Sequence, residues 1–219
     1  MRPPSGSLPL PRSFFARDTV ELARALLGVR LLRGWPDGSV SAGMIVETEA
    51  YGGPEDRASH ARSGRTRRNG AMFGPPGHAY VYRVYGVHSC LNVVGAAPTR
   101  VGAVLVRAVT PEAGVDALVA RRSLPGRRAL CVHRLAAGPG NVGAAFSIGP
   151  ELDGADLTSV GPLWLEPSGD EVAAALLAPG VLAGPRVGVA YAGNGWADRP
   201  WRFGVRGHAA LSRPFPPGA

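Results

Sequence analysis

The spacing of hydrophobic residues predicts the first elements of the chain. Leucines recur at helical spacing after Asp18, which opens a capping-box pattern, and Gly28 ends the periodicity. A helix is therefore expected over 18–28. Two strand-like patterns follow at 29–33 and 40–50, separated by a Trp-Pro-Asp-Gly turn signal.

Later apolar runs predict five more strands and two more helices. The strands are expected at 79–84, 89–94, 102–109, 185–191 and 200–205. One helix is expected to begin with Pro111 at its first position and to run to about Arg122, and a short one to cover 141–146. These elements indicate an α+β fold, a single compact domain with a curved, mostly antiparallel sheet flanked by helices.

Two segments lack any hydrophobic period. Residues 1–12 are rich in proline and serine, so we expect a flexible N-terminal arm, followed by one domain over 13–219. Residues 52–78 are rich in glycine and arginine and predict a long loop. Long loops inside compact domains are usually functional, which makes this segment a candidate part of a site.

Composition narrows the class of protein. A chain of 219 residues with 45% hydrophobic and 18% charged residues is typical of a folded soluble domain. No apolar run approaches the ~18 residues of a membrane helix, and the first residues lack a secretory signal, so we expect a cytoplasmic protein without membrane contact. Cys90 and Cys131 are too few for a zinc site and are expected to be buried thiols.

The formal net charge of +8 favours a polyanionic partner, and nucleic acid is the usual one. Every one of the 24 basic residues is arginine, so compositional bias is a competing explanation of the charge. The absence of lysine has a chemical consequence, because no lysine side chain is present to form a Schiff base.

The densest group of chemically useful residues surrounds the end of the second predicted strand. Glu49 and Tyr51 lie two residues apart and therefore share a face of that strand. His60 can reach the same place if the loop folds back. A carboxylate beside aromatic rings could hold a water near a flat ligand, although each residue taken singly also fits a surface or core role.

Other chemistries leave weaker signals in the same region. Glu49, Asp56 and His60 could supply metal ligands, but their spacing matches no compact metal motif. The segment 56–60 contains Asp, Ser and His without a nucleophile elbow, so spacing alone does not indicate a catalytic triad. A Gly-Pro-Gly sequence at 138–140 precedes a predicted helix and could bind a phosphate through free backbone amides.

Taken in order, the motifs resemble the alkyladenine (3-methyladenine) DNA glycosylase family from about residue 13 to Gly207. Each motif alone is weak, but the ordered set is highly specific. It comprises Met44-Ile45-Val46-Glu47-Thr48-Glu49-Ala50-Tyr51, Gly53-Pro54-Glu55-Asp56, Ala58-Ser59-His60, Arg68-Asn69, Met72-Phe73, Pro76-Gly77, Tyr80-Val81-Tyr82, Tyr85-Gly86, Cys90-Leu91-Asn92-Val93, Leu105-Val106-Arg107-Ala108, Gly138-Pro139-Gly140, Arg186-Val187-Gly188 and Pro200-Trp201-Arg202-Phe203.

The resemblance implies a role for each matching residue. Glu49 would be the general base, and Arg107 would help to hold the catalytic water and contact the DNA backbone. The implied base-binding residues are Tyr51, His60, Tyr82 and Asn92, with Asn92 placed to clash with the amino group of guanine. The implied DNA-binding residue is Tyr85, which fills the gap left by the flipped nucleotide. From their positions, His88 is expected either to contact DNA or to be a solvated turn residue, and Gly140 and Asn141 to bind a DNA phosphate through backbone amides.

The resemblance also implies the reaction and its setting. It implies a monofunctional glycosylase of base excision repair that flips alkylated purines, such as 3-methyladenine and 7-methylguanine, out of duplex DNA and hydrolyses the N-glycosidic bond. Hypoxanthine and ethenoadenine stay open as substrates. A fold like the C-terminal domain of methionyl-tRNA formyltransferase is implied, with no cofactor, no metal and a monomer that would be nucleoid-associated in a bacterium.

Two alternatives come from other functional classes. One is a noncatalytic nucleic-acid-binding module, and the other is an N-ribohydrolase of free nucleosides. Glu49 and Tyr85 distinguish the glycosylase from these alternatives. A binding module does not need a carboxylate among aromatic walls, and a nucleoside hydrolase does not need an exposed tyrosine wedge.

Overall fold

The computed structural model describes residues 7–95, 101–123 and 130–219. Its helices are α1 (Arg12–Phe15), α2 (Thr19–Ala25), α3 (Val115–Arg122), α4 (Pro139–Ala145) and α5 (Asp170–Leu177). Its strands are β1 (Arg30–Gly34), β2 (Val40–Tyr51), β3 (Ala79–Val84), β4 (His88–Val94), β5 (Ala103–Ala113), β6 (Leu163–Glu166), β7 (Val181–Gly184) and β8 (Arg202–Val205). Short 3₁₀ turns lie between them.

The strands form one open, antiparallel sheet of eight strands in the order β3-β4-β5-β2-β1-β6, with β8 pairing with β2 and β7 with β8. β2 is long enough to pair with β1 through residues 40–44 and with β8 through residues 47–49. Irregular pairing between β2 and β5 near Glu47 indicates bulges, which bend a strand. The mixed fold with an antiparallel sheet is the predicted class.

The helix predicted at 18–28 is confirmed. The Asp18 carboxylate accepts a hydrogen bond from the Val20 amide at 2.8 Å, and Gly28 has φ of +85°, a backbone conformation that favours glycine. The apolar face of α2 buries Leu22 completely. It joins a core that includes Phe15 and Phe203, on the face of the sheet that α2 covers.

The helix predicted to open at Pro111 is wrong, because β5 continues to Ala113 and α3 begins only at Val115. Pro111 instead pairs with Gly43 of β2, next to a register shift. A Cβ atom at Gly43 would lie 2.6 Å from the carbonyl oxygen of Thr110, so the glycine permits this close pairing. Strand pairing has overridden a local helix-start signal.

The strand predicted at 185–191 is also wrong. β7 ends at Gly184, and the chain then turns into a 3₁₀ segment at Ala190–Ala192. In place of a strand partner, the Val187 amide donates to Glu49 and the Arg186 side chain enters the interior. Four of the observed helices and strands, α1, β6, α5 and β7, were not predicted.

Smaller differences concern the thiols and the helix ends. Cys90 is buried as expected, but Cys131 is exposed, so the prediction of two buried thiols is wrong for Cys131. α4 begins with Pro139 at its first position, two residues before the predicted start, after Gly138 with φ of +110°.

The predicted arm and domain boundary stay predictions. Residues 1–6 lie outside the described residues, while Leu10 is buried and donates its amide to Leu165, and Arg12 pairs with Asp156 at 2.6 Å. In the described part of the chain, none of the helices has the length and apolar character needed to cross a membrane.

Candidate functional site

A cavity of about 350 Å³ opens between the β3–β4 hairpin, β5, the start of α4 and the segment 187–191. This volume is within the usual range of small-molecule sites. Most of the predicted site residues line it, namely Tyr51, His60, Tyr82, Tyr85, His88, Asn92, Arg107 and Gly140. The remaining two, Glu49 and Asn141, do not contribute directly to the lining.

The Glu49 carboxylate is fully buried, and within the described part of the chain it contacts three residues that line the cavity. Its Oε2 accepts from the Tyr51 hydroxyl at 2.8 Å, and its Oε1 accepts from the Val187 amide at 2.7 Å. The Nη1 of Arg107 lies 3.3 Å from the same Oε1. The shared strand face predicted for Glu49 and Tyr51 is therefore confirmed by a direct hydrogen bond.

Burial raises the pKa of Glu49 above the usual range of a glutamate, although Arg107, the Val187 amide and the Tyr51 hydroxyl act in the opposite direction. Burial and the adjacent carboxylate also raise the pKa of Tyr51, so its hydroxyl remains a donor. A carboxylate with a raised pKa, held by donors at a cavity wall, is well suited to accept a proton.

Aromatic rings form one wall of the cavity. The rings of His60 and Tyr82 meet edge to face with centroids 4.6 Å apart, and Tyr80 lies 5.5 Å from Tyr82. The Tyr80 hydroxyl and His60 Nδ1 are 2.8 Å apart, which orients the imidazole. Partial burial, together with Arg68 and Arg62, lowers the pKa of His60 and favours its neutral form.

Asn92 lies on β4 and is almost completely buried in the cavity floor. Its Nδ2 donates to the carbonyl oxygen of Tyr80 at 3.0 Å, across the β3–β4 pair. This bond fixes the amide plane, so the position of Asn92 in the cavity does not depend on a ligand.

The β3–β4 hairpin carries Tyr85 at its tip, beside the cavity. Tyr85 has φ of +53° and Gly86 has φ of +72°, and the Val87 amide bonds to the Val84 carbonyl. Two successive positive φ angles are typical of a type I′ turn. The Tyr85 side chain is 92% exposed, and Val87 beside it is 76% exposed.

The start of α4 packs beside this hairpin. A Cβ atom at Gly140 would lie 3.1 Å from the His88 ring, so the glycine allows close contact between the two elements. The Nδ2 of Asn141 donates to the Ala137 carbonyl at 2.6 Å. DNA contacts by His88, Gly140 and Asn141 stay predictions.

The contacts of Asp56 do not support its proposed role as a metal ligand. Its carboxylate receives two bonds from Arg186, at 2.6 and 3.0 Å, and further bonds from the Gly52 and Ala58 amides. Both side chains of this ion pair are completely buried. Across residues 7–95, 101–123 and 130–219, no three His, Cys, Asp or Glu side chains group closely enough to hold a metal.

The triad hypothesis also finds no support in the geometry. The Ser59 hydroxyl accepts the Ala61 amide at 3.1 Å and caps a short 3₁₀ turn, while the His60 ring contacts Tyr80. Asp56 is engaged by Arg186.

The cavity includes residues that sequence reasoning did not assign to the site. Tyr80 and Tyr191 both line it, and the Tyr191 hydroxyl donates to the Ala58 carbonyl at 3.1 Å. Val187 contributes through its backbone amide. The Tyr-Val-Tyr alternation could have identified Tyr80, but no local pattern marks Tyr191 or a backbone amide.

The loop predicted to be functional presents a basic surface near the cavity. Its exposed arginines are Arg57, Arg62, Arg65, Arg67 and Arg68, and Arg83 of β3 is also exposed. The guanidinium of Arg68 donates to the Arg83 carbonyl, which connects the loop to β3. Arg68 and Arg62 also act on His60, which lines the cavity, so part of this positive charge lies close to the cavity.

Comparisons with known proteins agree with this arrangement. Residues 13–209 match the profile of a family described as methylpurine-DNA glycosylase. The chain is 48% identical over 209 residues, or 94% of its length, to a protein of Anaeromyxobacter dehalogenans (strain 2CP-C) named "Putative 3-methyladenine DNA glycosylase", of which 88% is covered. A protein of the same name from Methanocella arvoryzae is 44% identical over 94% of this chain and 97% of its own length.

Proposed function

Since the chain belongs to the methylpurine-DNA glycosylase family, we propose that it excises alkylated purines, 3-methyladenine first among them, from duplex DNA. The single observation that carries this proposal is the buried Glu49 carboxylate, held by Tyr51, Val187 and Arg107 at the wall of an aromatic cavity. The hydrolysed bond joins C1′ of the deoxyribose to the purine nitrogen.

Base flipping is the first step of the proposed mechanism, because the glycosidic carbon is inaccessible within stacked DNA. Tyr85 is the candidate wedge, since its ring is almost fully exposed at the tip of a narrow hairpin beside the cavity. Insertion of this ring would replace stacking lost by the neighbouring bases. The surrounding arginines would neutralise DNA phosphates.

Selectivity for alkylated purines follows from the aromatic wall. A purine alkylated at a ring nitrogen carries positive charge, and electron-rich rings attract a cation by ~0.5–2 kcal/mol relative to a neutral base. Tyr51, His60 and Tyr82 supply these rings, and a neutral His60 avoids repulsion. We propose that Asn92, fixed by its bond to Tyr80, excludes the amino group of normal guanine.

Bond cleavage needs one base and one water in this scheme. Departure of the cationic purine takes the bonding electron pair and builds oxocarbenium character on the sugar, as in other glycoside hydrolyses. Glu49 would stabilise that charge and accept a proton as the water oxygen bonds to C1′. Arg107, 3.3 Å from Glu49, would help to hold the water. No lysine is needed.

Several finer features belong to the same proposal. The enzyme is proposed to act as a monomer in base excision repair and without a cofactor. The antiparallel sheet with flanking helices agrees with a fold like the C-terminal domain of methionyl-tRNA formyltransferase. Hypoxanthine and ethenoadenine are neutral and would need help at the leaving group, so they are secondary candidate substrates.

The test compares base release from methylated duplex DNA by the parent protein, Glu49→Gln and the control Glu112→Gln. Glu112 pairs with Arg30 outside the cavity. We expect the parent and the control to release 3-methyladenine or 7-methylguanine, and the Glu49 variant to bind the DNA but to cleave at least about 10²-fold more slowly.

Two other results would favour a different function, and a third would change the assignment of the base. Tight DNA binding without base release by the parent would favour a binding module. Faster hydrolysis of free nucleosides than of duplex DNA would favour an N-ribohydrolase. Substantial turnover by Glu49→Gln would remove Glu49 as the base.

A further inference from the structure

A second buried carboxylate, Glu47, lies two residues before Glu49 on the same face of β2. Its Oε1 accepts from Arg107 Nε and from Arg202 Nε, each at 2.8 Å. It therefore binds the same arginine that faces Glu49. The proposed mechanism gives Glu47 no role.

Ser212 completes this group from a distant part of the chain. Its hydroxyl donates to Glu47 Oε1 at 2.8 Å and accepts from Arg107 Nη2 at 2.9 Å, and its amide donates to Glu47 Oε2 at 2.5 Å. Arg202 holds the following residues through the carbonyls of Arg213 and Pro214. Ser212 lies beyond the range 13–209 that matches the family profile.

From these contacts we infer that Glu47 and Ser212 are positioning residues that hold the Arg107 guanidinium against Glu49. All three guanidinium nitrogens of Arg107 are engaged, Nε by Glu47, Nη2 by Ser212 and Nη1 by Glu49 at 3.3 Å. A planar guanidinium held at two nitrogens has its third nitrogen fixed in direction. This inference rests on the proposed function of Glu49.

Because the group is buried, the loss of any one of its contacts is costly. Glu47 is completely buried and Arg107 is 5% exposed, so water does not readily replace a lost contact. Two carboxylates and two arginines balance in charge, because Glu47 and Glu49 face Arg107 and Arg202. Without the Glu47 charge, Arg107 would act more strongly on Glu49, and its orientation would lose one anchor.

The charge of Glu47 should also be visible in the pH dependence of the reaction. Repulsion from Glu47 contributes to the raised pKa of Glu49, and its removal lowers that pKa. The other titratable or charged groups that act on Glu49 or lie in its network are Arg107 of β5, Tyr51 of β2, Tyr82 of β3, Cys90 of β4, Arg202 of β8 and Arg186 after β7.

The experiment measures single-turnover base release against pH for the parent, Glu47→Gln, Ser212→Ala and Glu49→Gln. Ser147→Ala is the matched control, because the Ser147 hydroxyl also accepts from an arginine, Arg121 at 3.0 Å, but at an exposed position away from the cavity. Lesion-DNA affinity and thermal unfolding are measured on the same samples.

We expect Ser212→Ala to lower the plateau rate about 10-fold, as for one charge-assisted hydrogen bond, with DNA affinity and the acid limb unchanged. Glu47→Gln should lower the plateau about 100-fold, as for a displaced catalytic group, and shift the acid limb to lower pH. Ser147→Ala should match the parent. A purely structural role of Glu47 would lower thermal stability without lowering the plateau rate of the folded variant.

Parental plateau rates for Ser212→Ala, or for folded Glu47→Gln, would overturn the inference. If Glu47→Gln does not fold, the rate of Ser212→Ala tests the inference by itself. That variant removes a single oxygen atom and should leave the fold intact. The Glu49→Gln arm separates the two proposals. An inactive Glu49→Gln beside a fully active Ser212→Ala removes only the positioning role, whereas an active Glu49→Gln removes the proposed base.

Discussion

The hairpin tip and the buried carboxylates lie beside the same cavity but are built in opposite ways. At the tip, Tyr85 is 92% exposed and adopts a positive φ that costs most residues ~1–2 kcal/mol. Beneath the cavity, Glu47, Glu49 and Asp56 are completely buried and receive bonds from arginines, amides and hydroxyls.

The two regions would contribute to the same reaction in different ways. The carboxylates are positioned before any DNA arrives, so the cost of ordering them has been met during folding. Tyr85 is presented to solvent, and its ring can gain packing only from a partner. Substitutions at the buried carboxylates and their partners should therefore affect stability or chemistry. Substitutions at the hairpin tip should affect the distortion of the DNA.

The largest expected effect on stability is at the buried pair of Asp56 and Arg186. Arg186→Met would leave Asp56 buried without its cation and should lower the free energy of unfolding by about 3–5 kcal/mol. The matched control is Arg30→Met, since the Arg30–Glu112 pair is partly exposed and should contribute at most about 1 kcal/mol. Urea unfolding measures both. Equal losses in the two variants would contradict the contrast between the regions.

The pH dependence of base release sharpens the comparison. Because burial raises the pKa of Glu49 and the proposed base acts in its ionised form, activity should be complete above that raised pKa and lost as the pH falls through it. The rate should fall about 10-fold per pH unit below the limb. Single-turnover rates across a pH series measure this. A limb at the ordinary glutamate value would contradict the effect of burial.

The smallest effect on stability is expected at the tip. Tyr85→Ser should weaken flipping by about 10-fold, most visibly for well-paired lesions, and change the free energy of unfolding by less than about 0.5 kcal/mol. A fluorescent base analogue in the DNA follows the flipping.

Tyr85→Asn is the matched variant for the backbone. It removes the ring but creates the Asn-Gly pair that type I′ turns favour, so its hairpin should be at least as stable as that of the parent. Equal flipping by the parent and both variants would defeat the wedge assignment.

Much of the fold was predictable because its signals are local. The Asp18 cap, the α2 leucines and Gly28 define a helix through neighbours only, and the alternation along β2 places Glu49 and Tyr51 on one face. The Tyr-Gly pair between two apolar runs likewise marks a hairpin. These features depend on backbone periodicity and turn chemistry, which a sequence carries directly.

The two wrong predictions of secondary structure occurred where a distant partner determined the structure. Pro111 looks like a helix start, but its neighbour in space is Gly43, whose missing Cβ allows the strand to continue. The apolar run at 185–191 looks like a strand, but Val187 turns its amide to Glu49, 138 positions away.

By itself the sequence determined the early elements, the shared face of Glu49 and Tyr51 and, through the order of its motifs, the family. Tertiary structure alone decided which charges meet: Asp56 with Arg186, and Glu47 with Arg107, Arg202 and Ser212. The physical reason is that a buried charge is stable only with a partner, and such partners come together only when the whole chain folds.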